Sequence, residues 1–147
     1  MIKANEIRIG NFLFNDDGII SKVTGFSPFD YSIRCDEEEG CMILFDSFPS
    51  DGSERKGYEM ESSYFEPIPL SEEWLLKFGF EKLTSKEEGF RSTSYTYKDK
   101  KNFISFIVHF DDGLLSVSFW QGNEKKYVHQ LQNLFHSLTG KELEIQK

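Results

Sequence analysis

The sequence is short of histidine and cysteine, two of the residue types from which catalytic centres are built. It holds 3 histidines and 2 cysteines in 147 residues. It has no Gly-x-Ser-x-Gly elbow, the strained turn that exposes a nucleophilic serine. No glycine cluster precedes a helix with Lys-Ser or Lys-Thr, so the usual phosphate cradle is missing as well. Ser116 or Ser118 with His109 and Asp111 could be imagined as a hydrolase. A His and an Asp two positions apart are common by chance, however, and nothing in the sequence supplies an oxyanion hole.

Long apolar runs are also lacking. The longest, Phe103 to Phe110, is interrupted by Ser105 and His109. It falls far short of the roughly 20 residues that a helix needs to span a bilayer. The opening MIKANEIRIGN has no apolar segment of the kind a secretory signal carries. A cytoplasmic setting without membrane association is therefore expected.

The two cysteines, Cys35 and Cys41, are separated by DEEEG. A hairpin disulfide is geometrically allowed but disfavoured in a reducing compartment. Zinc would need two further ligands, and no histidine is near in sequence. Thiols are expected here, with no metal and no cofactor.

Positive charge is in deficit. Lys and Arg total 17 against 25 Asp and Glu, a formal charge of −8. Such a balance repels nucleic-acid phosphates at long range. The basic groups Lys98, Lys100, Lys101 and Lys125, Lys126 are short and read as solvated lysines, so direct nucleic-acid binding is not expected.

What the sequence does have is aromatic bulk: 16% of the chain, with 15 phenylalanines. This is ample for a packed core. Residues 7–14, IRIGNFLF, read as a strand, Asn15-Asp16-Asp17-Gly18 as a turn, and IISKVT from Ile19 as the returning strand, closed by Gly25. Further short strands are expected at Tyr31–Cys35, Met42–Phe45 and Tyr58–Ser62. The polar stretch Asp46–Gly57 reads as a mobile loop. Close spacing of short strands suggests a small barrel or a strongly bent sheet.

Glu66-Pro67-Ile68-Pro69 suits neither helix nor central strand, since each proline removes a donor and fixes φ. It is the expected junction, and a stiff one. Beyond it, Ser71 reads as an N-cap, with Glu72 and Glu73 in the first turn where carboxylates favour the helix dipole. Trp74, Leu75 and Phe78 share one face, and Gly79 is placed to end the helix in a left-handed conformation. Strands are expected at Phe90–Lys98, Phe103–Phe110 and Leu114–Trp120, the last two joined through Asp111-Asp112-Gly113. A final helix is expected from Glu124 to Leu138, with Tyr127, Val128, Leu131, Leu134, Phe135 and Leu138 as its apolar stripe. The fold class expected is α+β. Residues 1–66 form a small β-barrel-like, SH3-like sheet, and residues 67–147 an α-β-β-β-α unit with an antiparallel meander.

Three blocks, NEIRIGN at 5–11, EPIPLSEEWLLKFGF at 66–80 and KYVHQLQNLFHSLTGKEL at 126–143, occur in that order. Together they resemble a group of short proteins of Bacteroidetes genomes and their phages or mobile elements, a group with no assigned activity. The resemblance implies a bacterial or phage origin and a cytoplasmic setting. It transfers no catalytic residue.

Two sets of residues are candidates for binding. On the last helix, His129, Asn133 and His136 recur at i, i+4 and i+7 and form one polar stripe. That stripe either receives a partner chain by amide hydrogen bonding or serves internal hydrogen bonds. Zinc shared by His129 and His136 is excluded by about 10 Å of helix rise between them. The second set, Ser105, His109, Ser116, Ser118 and Trp120, is expected on one sheet face, either an open binding platform or a packed surface. The primary reading of function is a non-enzymatic protein-interaction module. The alternatives are an acidic phage-type mimic that occupies a host nucleic-acid-binding protein, and an enzyme with a small-ligand pocket between the halves.

Overall fold

In a computed structural model of the chain, the described residues are 2, 4–27, 41–87, 90–99, 104–111, 114–117 and 127–146. Residues 4, 84–87, 90–92, 98–99, 104–111 and 114–117 are described by their backbone alone. The protein is α+β, and the described residues form two four-stranded antiparallel sheets and two α-helices. It divides into two compact units. Unit 1 comprises Met1–Ile68 with Tyr127–Asn133, and unit 2 comprises Pro69–Lys126 with Leu134–Lys147.

The first sheet of unit 1 runs in the order β1 (Phe12–Phe14), β2 (Ile20–Phe26), β3 (Met42–Ser47), β4 (Arg55–Glu61). Only three residues of the expected first strand are extended. The segment before them closes as a turn, because Asn11 bonds back to Arg8. The Asn11 carboxamide oxygen accepts the Arg8 N–H at 2.8 Å, and the Asn11 N–H reaches the Arg8 carbonyl at 3.1 Å. Gly10 takes φ 92° within this turn. An asparagine that offers its own side chain to the backbone outcompetes the strand ladder here.

The Asn15–Gly18 turn forms as the sequence suggests. Asn15 Oδ1 accepts the Ile19 N–H at 2.8 Å, and Gly18 occupies φ 69°. Strand β2 continues through Gly25 rather than stopping there, with a register shift between Val23 and Gly25 that admits one extra residue. Asp46 and Ser47 belong to β3, and Arg55 to Gly57 belong to β4, so the expected loop at 46–57 is shorter than its composition suggests. The expected strand Tyr31–Cys35 lies outside the described residues.

The core of unit 1 is built from Ile2, Ile7, Leu13, Val23, Cys41, Ile43, Phe45 and Phe65, with Met60 packed against it. Phe45 meets Phe65 edge to face at 5.1 Å, a favoured ring geometry. After β4 a single 3₁₀ turn (Ser62–Tyr64) brings the chain back to β1. Phe14 and Glu66 exchange both backbone hydrogen bonds at 2.9 Å. No closed barrel forms among the described residues.

In unit 2, helix α1 (Glu72–Lys77) has the expected ends. Ser71 has the extended cap conformation, yet its hydroxyl makes no capping bond. The C-terminus closes with two backbone bonds, Phe80 N–H to Leu75 carbonyl and Gly79 N–H to Leu76 carbonyl, each 2.9 Å. Gly79 sits at φ 83°. Both bonds of the Schellman arrangement are therefore present.

Four strands follow rather than three: β5 (Glu81–Glu87), β6 (Phe90–Asp99), β7 (Ile104–Asp111) and β8 (Leu114–Val117), in sequence order across the sheet. Strand β5 was not expected, because EKLTSKE has no apolar alternation. Its extended form comes from seven register pairs with β6. The last helix, α2 (Val128–Thr139), begins later than expected, and residues 118–126 lie outside the described residues. Its residues 128–133 belong to unit 1 and 134–139 to unit 2.

Within unit 2, Trp74, Leu75, Phe78, Phe80, Tyr95, Phe135 and Leu143 are buried. Tyr97 bridges Phe80 at 5.3 Å and Phe135 at 5.2 Å. Leu138, placed in the apolar stripe by its spacing, is 39% exposed.

Candidate interaction surface

The polar residues of α2 divide by environment. His129 is buried, stacked on Tyr127 with centroids 5.9 Å apart, and its Nε2 lies 3.5 Å from a Glu6 carboxylate oxygen. Asn133 donates from Nδ2 to the Glu6 carbonyl at 2.7 Å. Its Oδ1 accepts from Asn11 Nδ2 at 3.0 Å and from Arg8 at 3.4 Å. These bonds fall inside unit 1 and tie α2 to the irregular stretch before β1, whose Gly10 and Asn11 also bond to the Val23 backbone of β2. His136 belongs to unit 2, and its Nε2 lies 3.5 Å from Glu142.

A further residue binds the backbone of this stretch, and no local pattern in the sequence marks it. Gln132 is fully buried. Its Oε1 accepts the Phe12 N–H and its Nε2 donates to the Gly10 carbonyl, both at 2.9 Å. Read on a helical wheel, Gln132 is only another polar residue between apolar ones.

For the second candidate set only the backbone register is described. His109 pairs with Ser94 on one side and Ser116 on the other, and Ser105 pairs with Lys98. His109 and Ser116 thus share one cross-strand row, with Ser105 four residues along β7. Ser118 and Trp120 lie outside the described residues.

Unit 2 carries an open cavity of about 460 Å³ lined by Ser71, Glu72, Lys82, Thr93 and Tyr95. Lys82 Nζ is 2.7 Å from Glu72 Oε1, and it lies 5.9 Å from the centre of the Tyr95 ring. The hydrogen bond from Lys82 holds the Glu72 carboxyl below the usual carboxylate range. The same bond raises Lys82. Burial, followed by the hydrogen bond to Glu72, pushes the Tyr95 phenol up. Glu72 and Lys82 are thus held more firmly in their charged forms, and Tyr95 in its neutral form. The triad is suited to pinning α1 against the β5–β6 hairpin.

Unit 1 presents a different surface. Among the described residues strand β4 is an edge of its sheet, and its residues Arg55 to Glu59 are all exposed. Tyr58 is 48% exposed, and its ring lies 5.8 Å from that of buried Phe45. Beside it is a recess of about 90 Å³. Ile19, Phe45, Tyr58 and Met60 give it apolar walls, and Asp16, Asp17 and Arg55 bring charge to it. The register explains the grouping. Phe45 pairs with Tyr58 and Ile43 with Met60, but a shift between Phe45 and Ser47 places Arg55 opposite Ser47. Gly57, at φ 74°, absorbs the extra residue, and its N–H donates to Asp46 Oδ1 at 3.0 Å. The bulge brings Arg55 to the same recess as Tyr58 and Met60.

Sequence reasoning missed this recess. The available signal was Tyr58 and Met60 at strand spacing, beside a turn bearing two consecutive aspartates.

Among the described residues, no group of three His, Cys, Asp or Glu side chains is placed to hold a metal ion, and no helix is long and apolar enough to cross a membrane. Comparison with protein-family models, with curated proteins and with solved structures finds no match for this chain.

Proposed function

We propose that the protein is a non-enzymatic protein-interaction module whose contact surface is the exposed β4 strand and the recess beside Tyr58. The observation that carries this reading is a half-exposed tyrosine seated on the core ring of Phe45 at a sheet edge. Such a side chain offers large contact area at low conformational cost, because the core already holds its ring. An edge strand also offers backbone hydrogen-bonding groups to an extended partner.

The four-stranded meander, the 3₁₀ turn after β4 and the return of Glu66 to pair with Phe14 support a finer reading of unit 1 as an SH3-like arrangement. The sequence blocks at 5–11, 66–80 and 126–143 direct the search for a partner to Bacteroidetes bacteria.

The test is a comparison of wild type with Tyr58→Ser and Met60→Ser, each measured well below its own melting temperature, since Met60 packs against the core. A partner isolated from Bacteroidetes lysate is purified and its binding measured by calorimetry. Loss of binding in both variants is expected. Equal affinity for all three proteins removes the recess from the interface.

The formal charge of −8 favours a second reading, an acidic protein that occupies a host nucleic-acid-binding protein. It is distinguished by competition: the partner would be displaced by DNA or RNA oligonucleotides, and its affinity would fall steeply with salt.

A further inference from the structure

The recess beside Tyr58 has a charge pattern that limits what it can hold. Asp16 and Asp17 come from the β1–β2 turn and are exposed. Among the described residues neither takes part in an ion pair. Two adjacent carboxylates without cationic partners stand beside an aromatic ring, a thioether and an isoleucine. A planar cation meets all of these at once. Its flat face stacks on the tyrosine, its edge donates to carboxylate oxygens, and the stem before it lies on the apolar wall.

Arg55 completes the pattern. Arg55 lines the same recess, and its positive charge disfavours a second cation on its own side. An incoming positive group is thereby directed to the aspartate side.

We infer that the recess beside Tyr58 receives an arginine side chain from an extended segment of a partner protein, which lies along β4 and places the guanidinium between Tyr58 and the carboxylates of Asp16 and Asp17. This rests on the interaction reading above and names the chemistry of its partner. Arginine is preferred to lysine because a guanidinium stacks and forks, whereas an ammonium is a compact, strongly hydrated point charge. The excess of acidic residues in the whole chain steers such a segment inward.

The experiment uses the full chain with methyl-labelled methionine, observed by NMR. Four capped five-residue peptides of β-branched residues serve as probes; they differ only in a central arginine, lysine, glutamine or glutamate. The arginine peptide is expected to give saturable shifts of the Met60 methyl. The lysine peptide should bind more weakly, and glutamine and glutamate weaker by about tenfold or more, as expected for loss of a charge-assisted bond. Asp16→Asn/Asp17→Asn, at exposed turn positions that asparagine tolerates, should abolish the difference between arginine and glutamine.

Equal binding of the arginine and glutamine peptides, or an undiminished arginine preference in the double asparagine variant, overturns the inference and leaves the recess as an interaction surface of other chemistry. Saturable binding of the glutamate peptide alone does the same. No shift with any peptide also overturns it, and the interaction reading then stands or falls on the Tyr58→Ser and Met60→Ser comparison with a purified partner.

Discussion

Gln132 and Phe12 are 120 positions apart in sequence and joined by one short bond: the buried Gln132 Oε1 accepts the Phe12 N–H at 2.9 Å. The same carboxamide donates to the Gly10 carbonyl at 2.9 Å. One side chain thus satisfies two backbone groups where the chain enters β1. Gln132→Leu keeps much of the volume but leaves both groups without these bonds. Each buried orphan costs about 1–3 kcal/mol, so urea unfolding should show a loss on the order of 3 kcal/mol. Gln132→Glu should also be destabilised, since a carboxylate can accept from Phe12 but cannot donate to Gly10.

The end of α1 yields a second expectation. Gly79 is left-handed, and the space a Cβ would occupy is filled by the Gln146 side chain. The Gln146 backbone N–H also donates to the Lys77 carbonyl at 2.8 Å. Gly79→Ala therefore meets backbone strain, costing roughly 1–3 kcal/mol, and displaces the tip of the exposed Gln146 side chain, which can move at little cost. Gln146→Ala in the same chain should leave most of the loss in place. Thermal unfolding of the single and double variants checks this, and recovery of most of the loss by Gln146→Ala would contradict it.

The Glu72–Lys82–Tyr95 cluster sets a pH profile. Glu72 is held low in the folded protein, so its contribution is present above the ordinary carboxylate value and is lost as pH falls through the lowered one. Lys82 and Tyr95 are held high, so their contributions are complete below the ordinary lysine and phenol values and are lost as pH rises through the raised ones. The melting temperature of wild type should exceed that of Glu72→Gln across the neutral range. The two should converge in acid, where the wild-type carboxyl is protonated. Lys82→Met should blunt the alkaline decline.

The readable parts of the sequence were those in which a local signal met no competing demand. Asn15 to Gly18 forms its turn because the asparagine side chain and the glycine φ are both local. Gly79 ends α1 for the same kind of reason. The α2 stripe placed Val128, Leu131 and Phe135 in the interior, where they are buried. What failed was whatever depended on a distant partner. Strand β5 is polar and is extended by pairing with β6. The IRIG segment alternates as a strand would, but Asn11 pulls it into a turn that Asn133 and Gln132 then complete. Gln132 reads as surface and is buried, because its partners are backbone groups 122 and 120 positions away. The interaction recess was hidden for a related reason. Asp16, Asp17, Arg55 and Tyr58 come from two separate hairpins, and a bulge at Gly57 decides which face Arg55 joins.

The most direct test of the interaction reading is site-specific photo-cross-linking from position 58. The full chain carrying p-benzoylphenylalanine in place of Tyr58 is irradiated in Bacteroidetes lysate beside a chain carrying it in place of Thr24, an exposed β2 residue that does not line the recess. A discrete adduct is expected from position 58, which excess unlabelled wild type suppresses and Asp16→Asn/Asp17→Asn protein suppresses less well. Adducts identical from both positions, or unaffected by the competitor, would contradict it.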